Sequence, residues 1–264
     1  MKIGLIGWGS IGKFLLNAIN LEGRLPDARI EMIFDERPEY LDEIRMLSQQ
    51  YKCSYSTDKE EFIHSDLDLY VECSHPDVAK AYALDIVGNG KNMLIVSVGA
   101  LADADFLAEI ARQCMEHHAL VYIPSGAIGG LDALLAAKSL GELESVHLTT
   151  RKPPQALSMI LEGTEPKVIF NGTASEAISK FPQNVNVSIT LSVAGLGVHQ
   201  TAVTILADPR VERNIHEIDV KGAFGQLKMQ FENLPMPTNP KTSYLAALSA
   251  LSTLQRISQP IKIG

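Results

Sequence analysis

Three glycines near the start of the chain have the spacing that binds a dinucleotide. Gly7, Gly9 and Gly12 form the pattern G-x-G-x-x-G between an apolar run and a stretch of helical periodicity. In a strand–turn–helix setting, such glycines allow a tight turn and close approach of the backbone to a pyrophosphate, and the helix N-terminus attracts the phosphates. We therefore predict that these glycines, with Ser10 and Ile11 between them, bind a cofactor. The alternative is a glycine turn that holds no nucleotide.

An acidic residue further along the chain favours NAD as that cofactor. The run "IEMIFDERP" predicts a second strand that ends at Asp35, 23 residues after Gly12. A carboxylate at this place accepts a hydrogen bond from the ribose 2′-OH and disfavours a 2′-phosphate. Arg37 follows two residues later, so NADP remains possible.

A nicotinamide enzyme also needs a group that moves a proton, and histidine is the most frequent choice. His75 follows a predicted parallel strand, at the edge of the sheet where ligands of α/β folds bind. His216 shares its parity with Ile218 and Val220, so it is expected on the covered face of its strand, where a hydrogen-bonded core histidine is the competing interpretation. The pattern alone does not choose between the two histidines.

Four further stretches contain polar or glycine-rich sequence with two interpretations each. The glycine turn in "PSGAIGGLDAL" is either a hinge or a backbone surface for the nicotinamide ring, and Asn184 and Asn186 are either helix caps or partners of its carboxamide. "TTRK" and "NPKTS" offer anion-binding side chains, although surface charge explains them almost as well. The residues in question are Arg151, Lys241, Thr242 and Ser243.

The elements that position these residues form two domains. Up to about residue 125, strand-like runs alternate with helical segments, including a helix from Pro76 to Gly88, which predicts a doubly wound parallel sheet of the Rossmann type. From there to residue 239, closely spaced runs of alternating polarity predict an α+β domain with a mostly antiparallel sheet. We expect 1–125 to bind the dinucleotide and 126–239 to form the substrate and dimerisation domain. A helix over 240–264, with Asn239 as its N-cap, is expected to pack back on the first domain.

Composition excludes several other classes of protein. The 264 residues carry a net charge of -8, which argues against a nucleic-acid surface, and no apolar run is long enough to cross a membrane. No charged and apolar leader precedes the first strand, so we expect no signal peptide. The three cysteines have no metal-ligand spacing, so we expect neither a metal site nor a disulfide framework, and a cytoplasmic location.

Taken in order, these motifs resemble the L-aspartate dehydrogenases over nearly the whole chain. The resemblance is carried by "GLIGWGSIGKFL", "YIPSGAIGGLDAL", "TTRKPP", "FPQNVNV", "NIHEIDVKGAFG" and "NPKTSYLAALSAL". It implies a Rossmann domain with an α+β domain similar to dihydrodipicolinate reductase, a homodimer, and NAD(P)-dependent oxidation of L-aspartate to iminoaspartate, which water converts to oxaloacetate and ammonia. It further implies that His216 is catalytic, that Ala127 and Asn186 contact the cofactor, and that the imine can feed NAD synthesis.

Two features depart from that resemblance, and two other functions remain open. The segment 152–167 is longer than expected between its neighbouring strands, and Trp8 occupies a variable position in the glycine loop. The same features fit a dehydrogenase or reductase of another small amino acid or imine, such as homoserine or dihydrodipicolinate. They also fit a protein that senses NAD(H) without turnover.

Overall fold

The computed structural model describes residues 1–141, 143–157, 159–161, 163–181 and 186–262 of the chain. The chain divides into two compact units. The first comprises Met1–Pro124 together with the described residues from Ser249 onward, and the second comprises Ser125–Leu248.

The first unit alternates strands and helices. Its strands are β1 Lys2–Ile6, β2 Arg29–Phe34, β3 Ser54–Ser56, β4 Leu69–Glu72, β5 Asn92–Ile95 and β6 Val121–Tyr122. Its helices are α1 Ser10–Leu16, which continues as a π-helical turn over Asn17–Leu21, α2 Pro38–Tyr51, α3 Lys59–Ile63, α4 Pro76–Gly88, a 3₁₀ turn Val98–Ala102, and α5 Ala104–His117.

The strands of this unit form one parallel sheet in the order β3-β2-β1-β4-β5-β6. This is the order of the Rossmann fold, in which β1 and β4 lie at the centre and the order in which strands are added reverses between them. Both central strands are almost wholly buried, as expected for a sheet covered on both faces. The predicted doubly wound sheet is therefore confirmed, and the glycine pattern lies where its central strand ends.

The second unit is built on a mixed sheet with helices. Its strands are β7 Leu143–Lys152, β8 Lys167–Thr173, β9 Ala202–Ala207, β10 Asn214–Gly222, β11 Gly225–Asn233, β12 Pro235–Met236 and β13 Asn239–Ser243. Its helices are α6 Leu131–Lys138, a 3₁₀ turn Pro154–Leu157, α7 Ala174–Lys180 and α8 Asn186–Ala194. The main sheet has the order β11-β10-β7-β9-β8, in which β7 and β9 run parallel and the other neighbours antiparallel. The predicted α+β unit is confirmed.

The main sheet of this unit has one covered and one open face. Along β7, Val146, Leu148, Thr150 and Lys152 are buried, whereas the residues between them are partly exposed. His216, Ile218 and Val220 are buried in the same way on β10. Buried and partly exposed residues alternate with a period of two, as expected for a strand with one covered face. The prediction that His216 lies on the covered face is therefore confirmed.

The prediction that a helix begins at Asn239 and Pro240 is wrong. Both residues belong to β13, which pairs with β12. α9 spans Tyr244–Ser258, and the backbone N–H of Tyr244 donates to Leu234 O at 2.9 Å. Pairing between β12 and β13 stabilises the hairpin. A local capping pattern does not predict such pairing.

The end of α9 contributes to the core of the first unit. Ala250, Leu251 and Leu254 are buried in the same apolar cluster as Ile3 and Leu15. No helix in the described part of the chain is long and apolar enough to span a lipid bilayer.

Candidate active site

Two glycines of the first turn are required by the packing of the protein itself. Gly7 has a φ of +99°, which residues with side chains rarely adopt, and a Cβ there would lie 2.7 Å from the Cβ of Ser74. A Cβ on Gly12 would lie 2.5 Å from the carbonyl oxygen of Gly7. The tight turn and the close packing of α1 on β1 therefore each depend on a glycine.

Gly9 is different, because nothing in the described protein requires a glycine there. Its φ of -88° and ψ of -173° are ordinary extended values. The nearest atom to an added Cβ would be the carbonyl oxygen of Cys73, at 3.8 Å. The space beside Gly9 is open, and α1 begins at Ser10 without a side-chain cap. This is the arrangement that lets a pyrophosphate approach the backbone and the free N–H groups of a helix N-terminus, so the turn fits a dinucleotide.

We predict that Gly9→Ala impairs nucleotide binding without impairing folding. The added methyl group occupies the open space, so NADH affinity should fall about tenfold or more. The free energy of unfolding should be unchanged or rise by up to about 1 kcal/mol, since the backbone conformation suits alanine. NADH titration followed by fluorescence and urea unfolding would measure the two effects.

Gly12→Ala is the matched control for that variant. Its methyl group would clash with Gly7, so it should destabilise the fold by about 1–3 kcal/mol. Unaltered NADH affinity in Gly9→Ala would show that no ligand approaches that glycine.

Asp35 follows β2 as predicted, but Arg37 covers its carboxylate. Oδ1 accepts from the backbone N–H of Arg37 at 3.0 Å and from its Nε at 2.8 Å, and Oδ2 accepts from the Trp8 N–H at 2.8 Å and from Arg37 Nη2. Burial alone would raise the pKa of Asp35, but the hydrogen bonds from Arg37 and Trp8 outweigh it and hold the pKa below its usual value. The pair is neutral overall, so the carboxylate repels a 2′-phosphate less than an unpaired acid would.

Trp8, between the first two glycines of the turn, is buried and packs into the core of the first unit. Its Nε1 donates to Glu43 at 2.9 Å, and the same carboxylate accepts from Lys13. The glycine turn is therefore held to α2 by a side chain as well as by its backbone.

Glu72, at the carboxyl end of β4, holds two loops beside the glycine turn. It is fully buried, and its two carboxylate oxygens accept from the backbone N–H of Ser74 at 2.7 Å and of Ser97 at 3.1 Å. Burial raises the pKa of Glu72 to about 7, although these hydrogen bonds oppose the shift. The neighbouring candidate His75 has an exposed side chain that caps α4 by accepting from the Asp77 N–H.

In the second unit, the predicted glycine turn lies against β11. The side chain of Asn233 donates to the carbonyl oxygen of Ala127 at 2.9 Å. Gly130 has a φ of +70° and would bring a Cβ within 2.2 Å of the Met229 sulfur. Contacts with β11 thus determine the conformation of the turn and the orientation of its backbone groups.

Of the two predicted asparagines, the structure describes Asn186 alone. Asn186 is the first residue of α8 and is exposed. Its carbonyl oxygen accepts from Thr190 Oγ1 at 3.0 Å. Asn184 lies outside the described residues.

His216 is buried on the covered face, with a defined partner. Its Nδ1 forms a hydrogen bond with Thr150 Oγ1 at 3.0 Å, and Thr150 lies directly opposite it on β7. Among the described residues, no hydrogen bond to Nε2 is found. The bond to Thr150 orients the ring and leaves Nε2 for a ligand.

Lys152 lies on the same face, two residues beyond Thr150, and is also buried. Burial lowers the pKa of Lys152 to about 8, so the ammonium group is still mostly charged at neutral pH. Burial, with a contribution from the charge of Lys152, lowers the pKa of His216 to about 4. His216 is therefore a neutral imidazole at physiological pH.

This electrostatic setting predicts how His216 titrates. Since its pKa is about 4 in the folded protein, the ring should stay neutral from about pH 8 down to about pH 5. Below about pH 6.5 the unfolded chain binds a proton that the folded protein does not, so the contribution of His216 to stability should fall with pH. Histidine NMR of the labelled protein measures this directly. A midpoint near pH 6.5 would contradict the burial-based account.

The predicted anion binders fall in two places. Arg151 lies on the open face, where its guanidinium donates to Glu217 at 3.1 Å and lies 3.5 Å from an oxygen of Asp208, so its charge is already compensated. Thr242 and Ser243 lie on β13 and line a cavity of about 500 Å³, together with Lys152 and Asn233. Lys241 lies on the same strand, and its side chain is outside the described part of the structure.

Sequence reasoning missed the buried lysine of "TTRK" and chose the arginine beside it. The signal was available, because Lys152 shares its parity with Val146, Leu148 and Thr150 on a strand of alternating polarity. The contact of Asn233 with Ala127 had no such signal, since it joins residues 106 positions apart. Glu72 belongs to a run that is typical of a buried strand, so no sequence signal indicated that it holds two loops.

Comparison with known proteins identifies relatives of both units. A family model described as "Aspartate dehydrogenase, C-terminal" matches residues 132–257, and one described as "Homoserine dehydrogenase, NAD binding domain" matches residues 7–124. The chain is 39% identical to the L-aspartate dehydrogenase of Methanosarcina barkeri and 40% identical to that of Methanocella arvoryzae, covering 100% of this chain and 99% of each relative.

Solved structures agree with this relationship. The crystal structure of aspartate dehydrogenase from Thermotoga maritima matches with a TM-score of 0.82 and 31% identity, covering 100% of this chain and 99% of that one. The scyllo-inositol dehydrogenase of Lactobacillus casei, solved with bound NAD(H), matches with a TM-score of 0.58 and 13% identity over 100% of this chain and 91% of that one, which shows a shared fold alone.

Proposed function

The chain belongs to the L-aspartate dehydrogenase family, and on that premise we propose that it oxidises L-aspartate to iminoaspartate with NAD, which water converts to oxaloacetate and ammonia. The observation that carries the proposal is the buried, neutral His216, oriented by Thr150 on the covered face of the second unit. Burial keeps the imidazole unprotonated at neutral pH, so its ring can accept a proton or a hydrogen bond from a ligand. The reverse reaction, reductive amination of oxaloacetate, uses the same groups.

The first unit holds the dinucleotide. The open space at Gly9 and the uncapped start of α1, with Ser10 and Ile11, accommodate the pyrophosphate, while Gly7 and Gly12 shape the turn. Asp35 recognises the adenosine ribose. In this role one of the hydrogen bonds from Arg37 gives way to the ribose hydroxyl, because the carboxylate already accepts four.

His216 handles the proton of the reaction. Oxidation of the substrate amine removes a hydride from Cα and requires the nitrogen lone pair, so the ammonium form must first lose a proton. The bound dinucleotide supplies the hydride acceptor, and Nε2 of the neutral His216 accepts that proton or, in the second step, a proton of the attacking water. The bond from Nδ1 to Thr150 keeps the ring in position throughout.

Ala127 and Asn186 complete the proposed set of cofactor contacts. The carbonyl oxygen of Ala127 is held by Asn233, so the turn presents its backbone groups in a defined orientation. Asn186 has an exposed side chain at the start of α8 that is accessible to a ligand. Both assignments come from the resemblance of "SGAIGG" and "NVN" to the family.

A substrate panel tests the proposed reaction. Purified protein is incubated with NAD or NADP and with L-aspartate, D-aspartate, L-glutamate or L-homoserine, while NADH absorbance is followed. We expect selective reduction of the cofactor with L-aspartate, and formation of oxaloacetate and ammonia in equal amounts. Preferential oxidation of L-homoserine would assign another amino-acid dehydrogenase. Cofactor binding without turnover of any substrate, in either direction, would assign a sensor.

Family membership also supports a proposal for the biological setting. We propose a cytoplasmic homodimer, divided into a dinucleotide-binding domain and a substrate and dimerisation domain, whose imine product feeds NAD biosynthesis. Analytical ultracentrifugation of the purified protein tests the dimer. A growth requirement for a pyridine nucleotide precursor in a deletion strain tests the pathway.

A further inference from the structure

Glu72 is a buried acid whose charge the proposed reaction does not use. Its side chain is 0% exposed, and its neighbours on the adjacent strands, Ile6 on β1 and Ile95 on β5, are apolar. A carboxylate is seldom buried to this extent unless it is paired with a cation or hydrogen-bonded. Here its two oxygens accept from the backbone N–H groups of Ser74 and Ser97, so neutral donors stabilise the ionised form.

The charge of an ionised Glu72 is not compensated by a cation in the described part of the chain, since no basic side chain there lies within ion-pair distance of its carboxylate. Two basic residues at the same edge of the sheet have other roles, because Arg37 pairs with Asp35 and His75 caps α4. The adjacent Cys73 stays a neutral thiol, since burial and the charge of Glu72 raise its pKa well above the usual value. An ionised Glu72 therefore leaves a net negative charge at this edge.

The fold places this charge where the nicotinamide half of the cofactor is expected. The strands β2, β1, β4 and β5 are successive neighbours in the sheet, with Asp35 after β2 and the glycine turn after β1. A dinucleotide whose ribose binds Asp35 and whose pyrophosphate lies on the glycine turn continues along the same edge, over the ends of β4 and β5. The loops that follow β4 and β5 are the two that Glu72 joins, through Ser74 and Ser97.

The two redox states of the cofactor differ in charge at this end. The nicotinamide ring is positively charged in NAD and neutral in NADH, whereas the adenosine and pyrophosphate parts are the same in both. We propose that the buried negative charge of Glu72 favours binding of NAD over NADH, so that Glu72 selects the oxidised cofactor. The inference rests on the dinucleotide site of the proposed function and not on its substrate. The attraction is lost once the ring is reduced, which favours exchange of NADH for NAD.

Protonation of Glu72 should remove this preference in the wild-type protein. Burial raises the pKa of Glu72 to about 7, so the carboxyl group is largely neutral at about pH 6 and largely ionised at about pH 8. We therefore expect the ratio of the NADH to the NAD dissociation constant to rise about 3- to 10-fold over this range. Asp35 does not contribute to the change, because its hydrogen bonds hold its pKa below the usual value and it stays ionised.

Glu72→Gln tests the charge with little change in shape. The ratio of the two dissociation constants should fall about 3- to 10-fold at about pH 8 and should no longer depend on pH. NADH is titrated by fluorescence and NAD by calorimetry, and urea unfolding of the same preparations reports stability. Weaker binding of both cofactors by the same factor would mean that Glu72 only holds the loops, and would overturn the inference.

Two control variants separate Glu72 from its surroundings. Asp68→Asn removes the same charge at the other end of β4, where the carboxylate accepts from the Lys2 N–H at 2.7 Å, and it should leave the ratio unaltered. His75→Asn removes the neighbouring titratable side chain but keeps a residue that can cap α4, so the pH dependence should persist. An equal change of the ratio in Asp68→Asn, or loss of the pH dependence in His75→Asn, would exclude Glu72 as the cause.

The wild-type pH series stays decisive even if Glu72→Gln does not fold, because it neutralises Glu72 without a substitution. A ratio that is constant between about pH 6 and about pH 8 would overturn the inference. These measurements need no turnover, so that result would leave the proposed aspartate reaction intact. The expected ratio without any oxidation of L-aspartate would instead contradict the proposed function and leave the role of Glu72 standing.

Discussion

Replacing His216 with alanine is expected to lower the turnover of L-aspartate by about 10²- to 10⁴-fold, the usual contribution of a positioned acid–base group. Within the described part of the chain, Nε2 of this imidazole has no hydrogen-bond partner, and Thr150 holds the ring in place. NADH binding should persist, because the glycine turn and Asp35 belong to the first unit. Steady-state rates and an NADH titration on the same preparation measure both.

His147→Ala is the matched control for that variant. His147 lies on the same sheet, on the open face, where its Nε2 contacts Thr204 Oγ1 at 2.9 Å. Its replacement should leave turnover within a factor of about two, as expected for a surface position. Near-normal turnover in His216→Ala would make His216 a hydrogen-bonded core histidine, the interpretation that its sequence pattern also allowed.

Asp35→Asn is expected to shift the preference between the two dinucleotides toward NADPH by about 10- to 100-fold. The amide keeps an oxygen that can accept from the Trp8 N–H, so the turn is preserved. It removes the negative charge and breaks the ion pair with Arg37, whose guanidinium is then available to a 2′-phosphate. Fluorescence titrations with NADH and NADPH measure the ratio without any turnover.

Glu36→Gln is the control for charge at this site. Glu36 is the neighbouring carboxylate, and its Oε2 accepts from the Tyr82 hydroxyl at 2.8 Å. Its neutralisation removes the same charge one residue away and should leave the ratio nearly unaltered. An equal shift in both variants would mean that general electrostatics, and not recognition by Asp35, sets the preference.

Local patterns predicted the elements of the first unit well. α4 runs from Pro76 to Gly88 as the proline and glycine positions indicated, and Asp35 follows β2 directly. These features depend on neighbouring residues, because strand periodicity, helix initiation by proline and the glycine turn are short-range effects.

In the second unit, several features could not be predicted from local patterns. Parity placed His216 on the covered face, but its partner Thr150 follows only from the register of β7 against β10. The capping pattern at Asn239 failed because that residue pairs in a hairpin. The cavity beside Lys152 is lined by residues of β7, β10, β11 and the hairpin, so it forms only through contacts between segments that are distant in sequence. The proposed catalytic role of His216 rests on family resemblance, since its pattern alone favoured a core residue.

Transfer of deuterium from labelled substrate tests the central claim most directly. The protein is incubated with NAD and L-aspartate deuterated at Cα. The reduced cofactor is then isolated, and its mass is measured by mass spectrometry. The proposed reaction predicts deuterium in the reduced cofactor and none in the oxaloacetate at the former Cα. Reduced cofactor without deuterium, or no reduced cofactor from L-aspartate under conditions in which NADH binds, would contradict it.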